Sequence, residues 1–261
     1  MDAMQLDLTQ LAPAYLPVLC RVGAMLAIAP PFASPAVPRR VRALLAMGLT
    51  IGLLPAVAQR DAATMSSTGQ WVLALGGEML IGLAMGLALA MVFAAVSIAG
   101  DLVAAQLGLS LPQAYDPRTA DGAQGTVMAQ AFWLIAAVVF FAVNGHHAML
   151  RGLSASFAAV PAMTGLQAAA TTGLLVGLLQ SATALAIQIA APVFVATLVA
   201  DLAMGMVART IPQLGVMTAG LTVRAIAGMV AAIAAIAGTV ALLRSSMTVN
   251  WTELTRSMFG G

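Results

Sequence analysis

Long apolar segments separated by short polar stretches organise almost the whole chain. A helix that crosses a membrane needs roughly 18 or more predominantly apolar residues, and the apolar segments here reach or approach that length. They occupy residues 11–29, 41–57, 71–99, 127–143, 174–207 and 221–243. This pattern predicts an all-α membrane protein with about six hydrophobic helical regions, some of them kinked or hairpin-like and packed in a multi-subunit assembly.

Some regions depart from a simple span. The segment 174–207 is too long for one straight crossing, and Pro192 lies inside it, so we expect a kink or a helical hairpin there. The helix predicted over 71–99 continues as an amphipathic piece to about Leu109. Residues 146–160 are less apolar and amphipathic, which predicts a short interfacial or packed helix.

Polar segments mark the connections. The most polar connector, residues 110–126, is rich in Gly, Pro, Asp and Gln, which is typical of a loop. A polar tail, residues 244–261, ends the sequence. Arg39, Arg40 and Arg42 lie in the first connector with no acidic residue beside them. The positive-inside rule therefore places this connector in the cytoplasm and the N-terminus outside.

Composition excludes a water-soluble globule. Hydrophobic residues make up 61% of the chain and charged residues only 8%, whereas a soluble domain carries about a quarter of charged residues. All basic residues are Arg, and none forms a run that would indicate a nucleic-acid surface. The single cysteine, Cys20, excludes an internal disulfide, and its apolar surroundings indicate a small buried side chain.

Pairs of glycines four residues apart are candidates for close helix packing. Such a pair leaves one helix face without side chains, so that another backbone can approach it. The pairs are Gly48 with Gly52, Gly82 with Gly86, and Gly173 with Gly177. At Gly82 and Gly86 we expect a bulky side chain to block packing and Ala to be accepted.

Ionisable residues inside the apolar segments need an explanation, because burying a charge in lipid is costly. They are Arg21, Glu78, Asp101, Asp201 and Arg224. One explanation is an ion or proton relay, as in a secondary transporter. The other is that these charges pair with one another, or with partner subunits, and fix helix packing. Their scattered positions favour the second explanation.

Catalytic and cofactor motifs are absent from the sequence. His146 and His147 are adjacent and have no HExxH frame, and a chain without Lys cannot carry a P-loop. A serine dyad of His147 with Ser154 or Ser156 lacks the GxSxG spacing of a nucleophile elbow. The sequence therefore indicates no enzyme, no metal and no cofactor.

Several sequence blocks together identify a family. These blocks are GDLVAAQLGLSLPQAYDP (100–117), FWLIAAVVFFAVNGHHAMLRGLSASFAAVP (132–161), APPFASPAVPRRVRALLAMGL in the first connector, and APVFVATLVADLAMGMVARTIPQLGV (191–216). They resemble the FliR family, the membrane components of the flagellar type III export apparatus. The resemblance runs in family order over almost the whole chain, and the NGHH turn and the ADLAMGMVARTIPQ block are its most specific parts.

The resemblance implies one FliR-like membrane domain over residues 1–261. Such a subunit assembles with FliP-like and FliQ-like subunits, and with an FlhB-like subunit, into an export gate. The gate sits in the bacterial inner membrane at the flagellar basal body, among membrane lipids, and unfolded flagellar proteins pass through its channel. The family also implies kinked helices packed against partner subunits, and no nucleic acid or cofactor.

The resemblance also implies a channel plug in the loop that follows the third long helix, at about residues 108–123. Its candidate residues here are Gly108, Leu109, Ser110, Leu111, Pro112, Asp116 and Pro117. Composition alone favours a solvent-facing connector for the same segment. At Asn144 and His146 the family's NGH turn implies helix capping or a subunit contact.

Two other functions stay open. An injectisome type III secretion paralog would share the architecture. A small-molecule secondary transporter would be expected to have two related halves with discontinuous helices, and no internal repeat connects the halves of this chain. An intramembrane hydrolase is disfavoured by the missing motifs.

Overall fold

The computed structural model describes residues 8–57, 67–108, 126–162 and 169–210, together with residues 220, 222–234, 238 and 240–242. Within these ranges the chain is helical and contains no strand. The helices are α1 (Leu8–Ile28), α2 (Arg39–Val57), α3 (Thr68–Gln106), α4 (Val127–Ala142), α5 (Gly145–Ala159), α6 (Ala169–Thr210) and α7 (Thr222–Ala234). The prediction of an all-α membrane protein is confirmed.

Two of the described helices are long and apolar enough to cross a membrane. They are α3 and the Leu179–Arg209 part of α6, with mean hydropathies of 2.5 and 2.0. The helices α4 and α5 qualify as a third span when they are taken together across their break. With 39 residues, α3 is about 58 Å long, nearly twice the roughly 30 Å of a bilayer's hydrocarbon core.

Pro192 does not end a helix. It lies inside α6, which continues without a break from Ala169 to Thr210. Of the two alternatives expected here, the hairpin is therefore wrong, and the kink stays a prediction. A proline removes one backbone donor, but packing against neighbouring elements can hold the turns on either side of it. Ile189 and Val193, which flank Pro192, are both buried. Tertiary packing thus outweighs the local cost of the proline.

Asn144 marks the break between α4 and α5. Its backbone has a φ of 57°, in the left-handed region that Asn tolerates better than most residues. Its carbonyl oxygen accepts hydrogen bonds from the backbone N–H groups of His147 (3.0 Å) and Ala148 (3.1 Å), which starts α5 at once. This helix confirms the short element predicted over 146–160.

The chain divides into two compact units that interleave along the sequence. The first unit comprises Met1–Met91, Asn144–Leu178 and Met247–Gly261, and the second comprises Val92–Val143 and Leu179–Ser246. Because each unit draws on separate stretches, neither is a linear domain. The single membrane domain over 1–261 stays a prediction.

Each unit has its own apolar core. In the first unit α1 packs against α2, and α2 also contacts α5. Its buried side chains include Val22, Met25, Ile81, Met85, Leu153 and Phe157. In the second unit the Phe93 ring packs against the rings of Trp133 and Phe140, at centroid distances of 5.9 and 6.0 Å. These cores position the polar clusters described next.

Candidate functional site

A fully buried arginine joins three helices of the first unit. The Arg21 Nε on α1 donates a 2.7 Å hydrogen bond to Glu78 Oε2 on α3, and both side chains are buried. Its Nη1 donates to Ser156 Oγ on α5 at 3.1 Å, and its Nη2 donates to the carbonyl oxygen of Val160 at 3.2 Å. The guanidinium carbon also lies 4.0 Å from the centre of the Phe157 ring.

This arrangement explains how a charge is tolerated inside an apolar core. Each guanidinium nitrogen of Arg21 has an acceptor, and Phe157 adds a cation–π contact. A buried ion pair contributes little net stability over an apolar pair, but losing one partner strands the other charge. The cluster of Arg21, Glu78, Ser156 and Phe157 therefore fixes the relative positions of α1, α3 and α5.

Two glycines bring the backbones of α3 and α1 together beside this cluster. Glu78, Gly82 and Gly86 are four residues apart, so they lie on one face of α3. A Cβ atom placed at Gly82 would lie 2.2 Å from the Arg21 carbonyl oxygen, and one at Gly86 would lie 2.7 Å from that of Met25. Neither position has room for even a methyl group against fixed backbone. The expectation that Ala is accepted at Gly82 and Gly86 is therefore wrong.

Gly48, Gly52 and Gly177, from the other predicted pairs, have no such neighbours among the residues that the structure describes. A Cβ atom at Gly48, Gly52 or Gly177 would meet nothing within 4 Å. Gly173 lies on α6, in the part where side-chain surroundings are not described. The faces of α2 at Gly48 and Gly52 are thus open in the described part of the chain, and their packing role stays a prediction.

The predicted plug begins at Gly108, just after the end of α3 at Gln106. Gly108 has a φ of 73°, and its N–H donates to the Ala105 carbonyl oxygen at 3.2 Å. This left-handed conformation suits glycine and turns the chain away from the helix axis. The other candidate plug residues, Leu109, Ser110, Leu111, Pro112, Asp116 and Pro117, lie outside the described residues.

Asp101 binds Thr126, the first residue that the structure describes after segment 109–125. Its Oδ1 accepts a hydrogen bond from the Thr126 backbone N–H at 3.0 Å and another from Thr126 Oγ1 at 2.9 Å. Thr126 is the N-cap of α4, because its Oγ1 accepts from the Ala129 N–H at 3.1 Å. A Cβ atom at Gly100 would lie 2.5 Å from the Ala129 Cα, so the two helix backbones meet there.

Residues of α7 contact the C-terminal end of α3. Arg224 Nη2 donates a hydrogen bond to Gln106 Oε1, and Arg224 Nη1 lies 3.6 Å from Asp201 Oδ2 on α6. A Cβ atom at Gly228 would lie 2.4 Å from Leu107 Cδ2, so the Leu107 side chain rests against α7. The Arg224–Asp201 pair is partly exposed, and such a pair contributes little on its own.

The two histidines singled out from the sequence lie side by side, and the two serines hydrogen-bond to the helix backbone. The rings of His146 and His147 lie next to each other, with centroids 4.2 Å apart. Ser154 Oγ donates to the Arg151 carbonyl oxygen at 2.8 Å, and Ser156 Oγ donates to that of Leu153 at 2.7 Å. The described part of the chain also contains no group of three His, Cys, Asp or Glu side chains that could hold a metal.

The structure thus places four of the five charges singled out from the sequence in two pairs. Arg21 contacts Glu78, and Arg224 faces Asp201, whereas Asp101 binds Thr126. Sequence reasoning did not identify Thr126 or Gln106 as partners. A threonine directly before an apolar segment is an N-cap signal, so Thr126 could have been recognised as a helix start. A glutamine such as Gln106, in an amphipathic helical segment, gives no comparable signal.

The sequence is similar to known export proteins. Residues 12–249 match the family model described as bacterial export proteins, family 1. The chain is 31% identical to the flagellar biosynthetic protein FliR of Bacillus subtilis (strain 168) over 221 residues, which is 84% of each protein. It is 30% identical to FliR of Escherichia coli (strain K12) over 211 residues, 77% of this chain and 76% of the relative. The surface presentation of antigens protein SpaR of Shigella sonnei is 25% identical over 149 residues, 57% of each protein.

Proposed function

This chain belongs to the FliR family of bacterial export proteins, and we propose that it is a subunit of the flagellar type III protein export gate in the bacterial inner membrane. The observation that carries the proposal is the similarity to flagellar relatives over most of both chains. In this function the protein is a structural part of the gate, packed against other subunits, and it catalyses no reaction. It helps to form the channel through which unfolded flagellar proteins leave the cytoplasm.

The distribution of polar and apolar side chains supports a role inside a membrane assembly. The buried charges of the first unit are satisfied internally, whereas large apolar side chains point outward from α6 and α7. On these two helices they include Ile187, Val195, Leu198, Val199, Leu202, Met206, Ile226, Val230 and Ile233. An outward apolar surface of this kind suits lipid or the helices of partner subunits. FliP-like and FliQ-like subunits, and an FlhB-like subunit, are the partners that this proposal requires.

The segment 108–123 is the proposed plug of the channel. A channel wide enough for an unfolded chain would also pass ions and collapse the membrane potential, so it must be closed at rest. The apolar start of the segment, with Leu109 and Leu111, is suited to a narrow pore, and the part around Asp116 is suited to water. Its length is above the common range for connections in compact proteins, and long loops of this kind are often functional.

A gene deletion tests the proposed function. Without this subunit the export gate cannot assemble completely. The deletion strain is therefore expected to make no flagellar filaments and not to swim. A plasmid copy of the gene should restore both. Filaments are counted by electron microscopy and swimming is measured in soft agar. Normal filaments in the deletion strain would overturn the flagellar function.

Purification of the tagged chain in mild detergent distinguishes the gate from a transporter. A gate subunit is expected to co-purify with FliP-like and FliQ-like proteins, whereas a transporter would purify alone or as a homo-oligomer.

An injectisome paralog is the second candidate function, supported by the partial similarity to SpaR. It would bring injectisome partners instead, and its deletion would leave the filaments normal.

A further inference from the structure

A groove between α2 and α5 brings polar and apolar side chains of the first unit together. Its volume of about 630 Å³ is within the range of roughly 300–1,000 Å³ that is typical of small-molecule sites. The α2–α5 groove is lined by Leu53, Asn144, His147, Leu150, Arg151 and Ser154. Both helices belong to the same unit and contact each other, so the groove is a feature of this unit.

The polar groups of the groove follow one face of α5. His147 and Arg151 are four residues apart and Ser154 comes three residues later, so their side chains lie along the same side of the helix. Asn144 precedes them by one turn, and it starts the helix without a hydrogen bond from its side chain to the helix backbone. Its amide group is therefore available to a ligand in the groove.

Arg151 provides the positive charge of the groove. Its side chain is exposed, and within the described part of the chain its guanidinium has neither an ion pair nor a hydrogen-bond acceptor. Arg21 of the same unit differs, because each of its guanidinium nitrogens has an acceptor. In a membrane protein a cation beside an apolar surface is costly unless an anion or water meets it. Arg151 therefore indicates an anionic ligand.

A phosphodiester matches the donors and the charge of the groove. The planar guanidinium of Arg151 can donate two parallel hydrogen bonds to phosphate oxygens, and His147 and Asn144 provide further N–H donors. A phosphodiester carries one negative charge, which a single arginine neutralises. No carboxylate is among the residues that line the groove, so the ammonium group of a zwitterionic headgroup would find no partner there. The groove therefore favours an anionic headgroup.

The apolar surroundings of the groove indicate that the phosphodiester belongs to a lipid. Leu53 and Leu150 form part of its wall. The helix that carries Leu53 also exposes large apolar side chains, among them Leu44, Met47 and Ile51. Such a surface suits acyl chains better than water. Basic pockets between membrane helices are known sites for anionic lipid headgroups.

We propose that the α2–α5 groove binds an anionic phospholipid, with the phosphate on the Arg151 guanidinium and the acyl chains along the exposed apolar side chains of α2. This inference goes beyond the proposed function, because it requires a membrane around the chain but no export activity. It also explains why an arginine without an internal partner lies beside apolar surface in this unit.

Lipid binding is measured on the full chain, purified in mild detergent together with the subunits that accompany it. Phosphatidylglycerol is added in increasing amounts, and bound lipid is counted by native mass spectrometry. We expect Arg151→Gln to weaken the binding of one phosphatidylglycerol about ten- to hundredfold, because it removes hydrogen bonds between charged groups. Arg151→Lys keeps the charge but loses the planar fork, so its affinity should lie between those of Arg151→Gln and the wild type.

A matched variant and two other ligands control for unspecific binding. Arg40→Gln removes the same charge at an exposed arginine about 20 Å along α2 from Leu53, and it should bind phosphatidylglycerol like the wild type. Phosphatidylcholine with the same acyl chains should bind more weakly than phosphatidylglycerol, and inorganic phosphate should not displace the lipid. Without added lipid, Arg151→Gln should unfold at the wild-type temperature, because Arg151 has no partner to lose among the described residues.

Several results would overturn the lipid site. Equal affinities of Arg151→Gln and Arg40→Gln for phosphatidylglycerol would do so, as would equal binding of the two lipids. Inorganic phosphate that binds as tightly as phosphatidylglycerol would make the ligand a free anion instead. Loss of the accompanying subunits from Arg151→Gln but not from Arg40→Gln would mean that an acidic group of a partner subunit occupies the groove.

Discussion

Arg21 joins three helices of the first unit through one buried side chain. From α1, its guanidinium contacts Glu78 on α3, and Ser156, Phe157 and the C-cap residue Val160 at α5, and it has no exposure to solvent. A charge in such a position is retained only when its partners are complete, because an uncompensated buried charge costs more than the pair contributes. The cluster therefore determines which helix faces meet.

The Arg21–Glu78 pair gives a prediction at the scale of single residues. Arg21→Met or Glu78→Leu alone should lower the stability of the purified complex by about 3–5 kcal/mol, because each strands the other charge. The double variant should lose clearly less than the sum of the two, since both charges are removed together. Thermal unfolding in mild detergent measures all three. Arg151→Met, at an exposed arginine, is the control and should be close to wild type. Additive losses in the double variant would contradict a coupled pair.

Of the five charges that the sequence indicated as buried, Arg21 and Glu78 are buried, whereas Asp201 is exposed and Asp101 and Arg224 are half-buried. The sequence could not indicate the partners of Arg21 and Glu78. A charge inside an apolar segment points to a protein or water environment wherever it occurs. Arg21 and Glu78 are 57 residues apart along the chain, and Arg21 and Ser156 are 135 apart, so their contacts depend on how three helices pack. Nothing in the local sequence around Ser156 distinguishes it from other helical serines.

At the scale of helices, α3 makes close backbone contacts and polar contacts with both α1 and α4. In its first part, Glu78, Gly82 and Gly86 face α1. In its last part, Gly100 and Asp101 contact the start of α4. The glycines remove side chains where a backbone passes, and the charged residues provide polar contacts between them. The same helix therefore combines close backbone approach with specific polar contacts.

Gly82 gives a prediction for the packing of α3 on α1. Gly82→Ala places a methyl group 2.2 Å from the Arg21 carbonyl oxygen, so the helices must separate locally. This should reduce the yield of assembled complex despite the higher helix propensity of Ala. Gly76→Ala is the matched control on the same helix, because a Cβ atom there meets nothing within 4 Å. Co-purification with partner subunits measures both variants, and an equal yield for the two would mean that the contact does not matter for assembly.

Helix bounds were the part of the fold that the sequence predicted best. The segment 127–143 corresponds to α4 (Val127–Ala142), because Thr126 caps its start and the Asn144 turn follows its end. The continuous α6 was not predicted, since Pro192 favours a break locally and only the burial around it keeps the helix intact. The Gly82–Gly86 spacing indicated a face for close packing but not that α1 packs on it, and the same spacing at Gly48–Gly52 has no neighbour among the described residues.

At the scale of the whole molecule, the chain combines internally satisfied charges with an outward apolar surface. Large apolar side chains such as Leu198 and Leu202 are exposed on α6, and Ile226 and Ile233 are exposed on α7. A soluble monomer seldom exposes so many, whereas a subunit surrounded by lipid and other helices can. Exposed charged side chains lie at a helix start, as Arg39 and Arg40 do on α2, and along helix surfaces, as Arg151 does on α5.

The segment that follows α3 gives the prediction for the complete gate. Removing residues 109–120 deletes the proposed stopper, including Leu109 and Leu111, and leaves the anchored ends at Gly108 and Thr126 in place. Because loop-closure entropy changes only slowly with loop length, the shorter connection should cost little stability. We therefore expect normal assembly but higher permeability, seen as sensitivity to salt and to small hydrophilic antibiotics. Assembly is verified by co-purification, and uptake is compared in cells that make the same amount of gate. Equally low uptake with and without these residues would make the segment a simple connector.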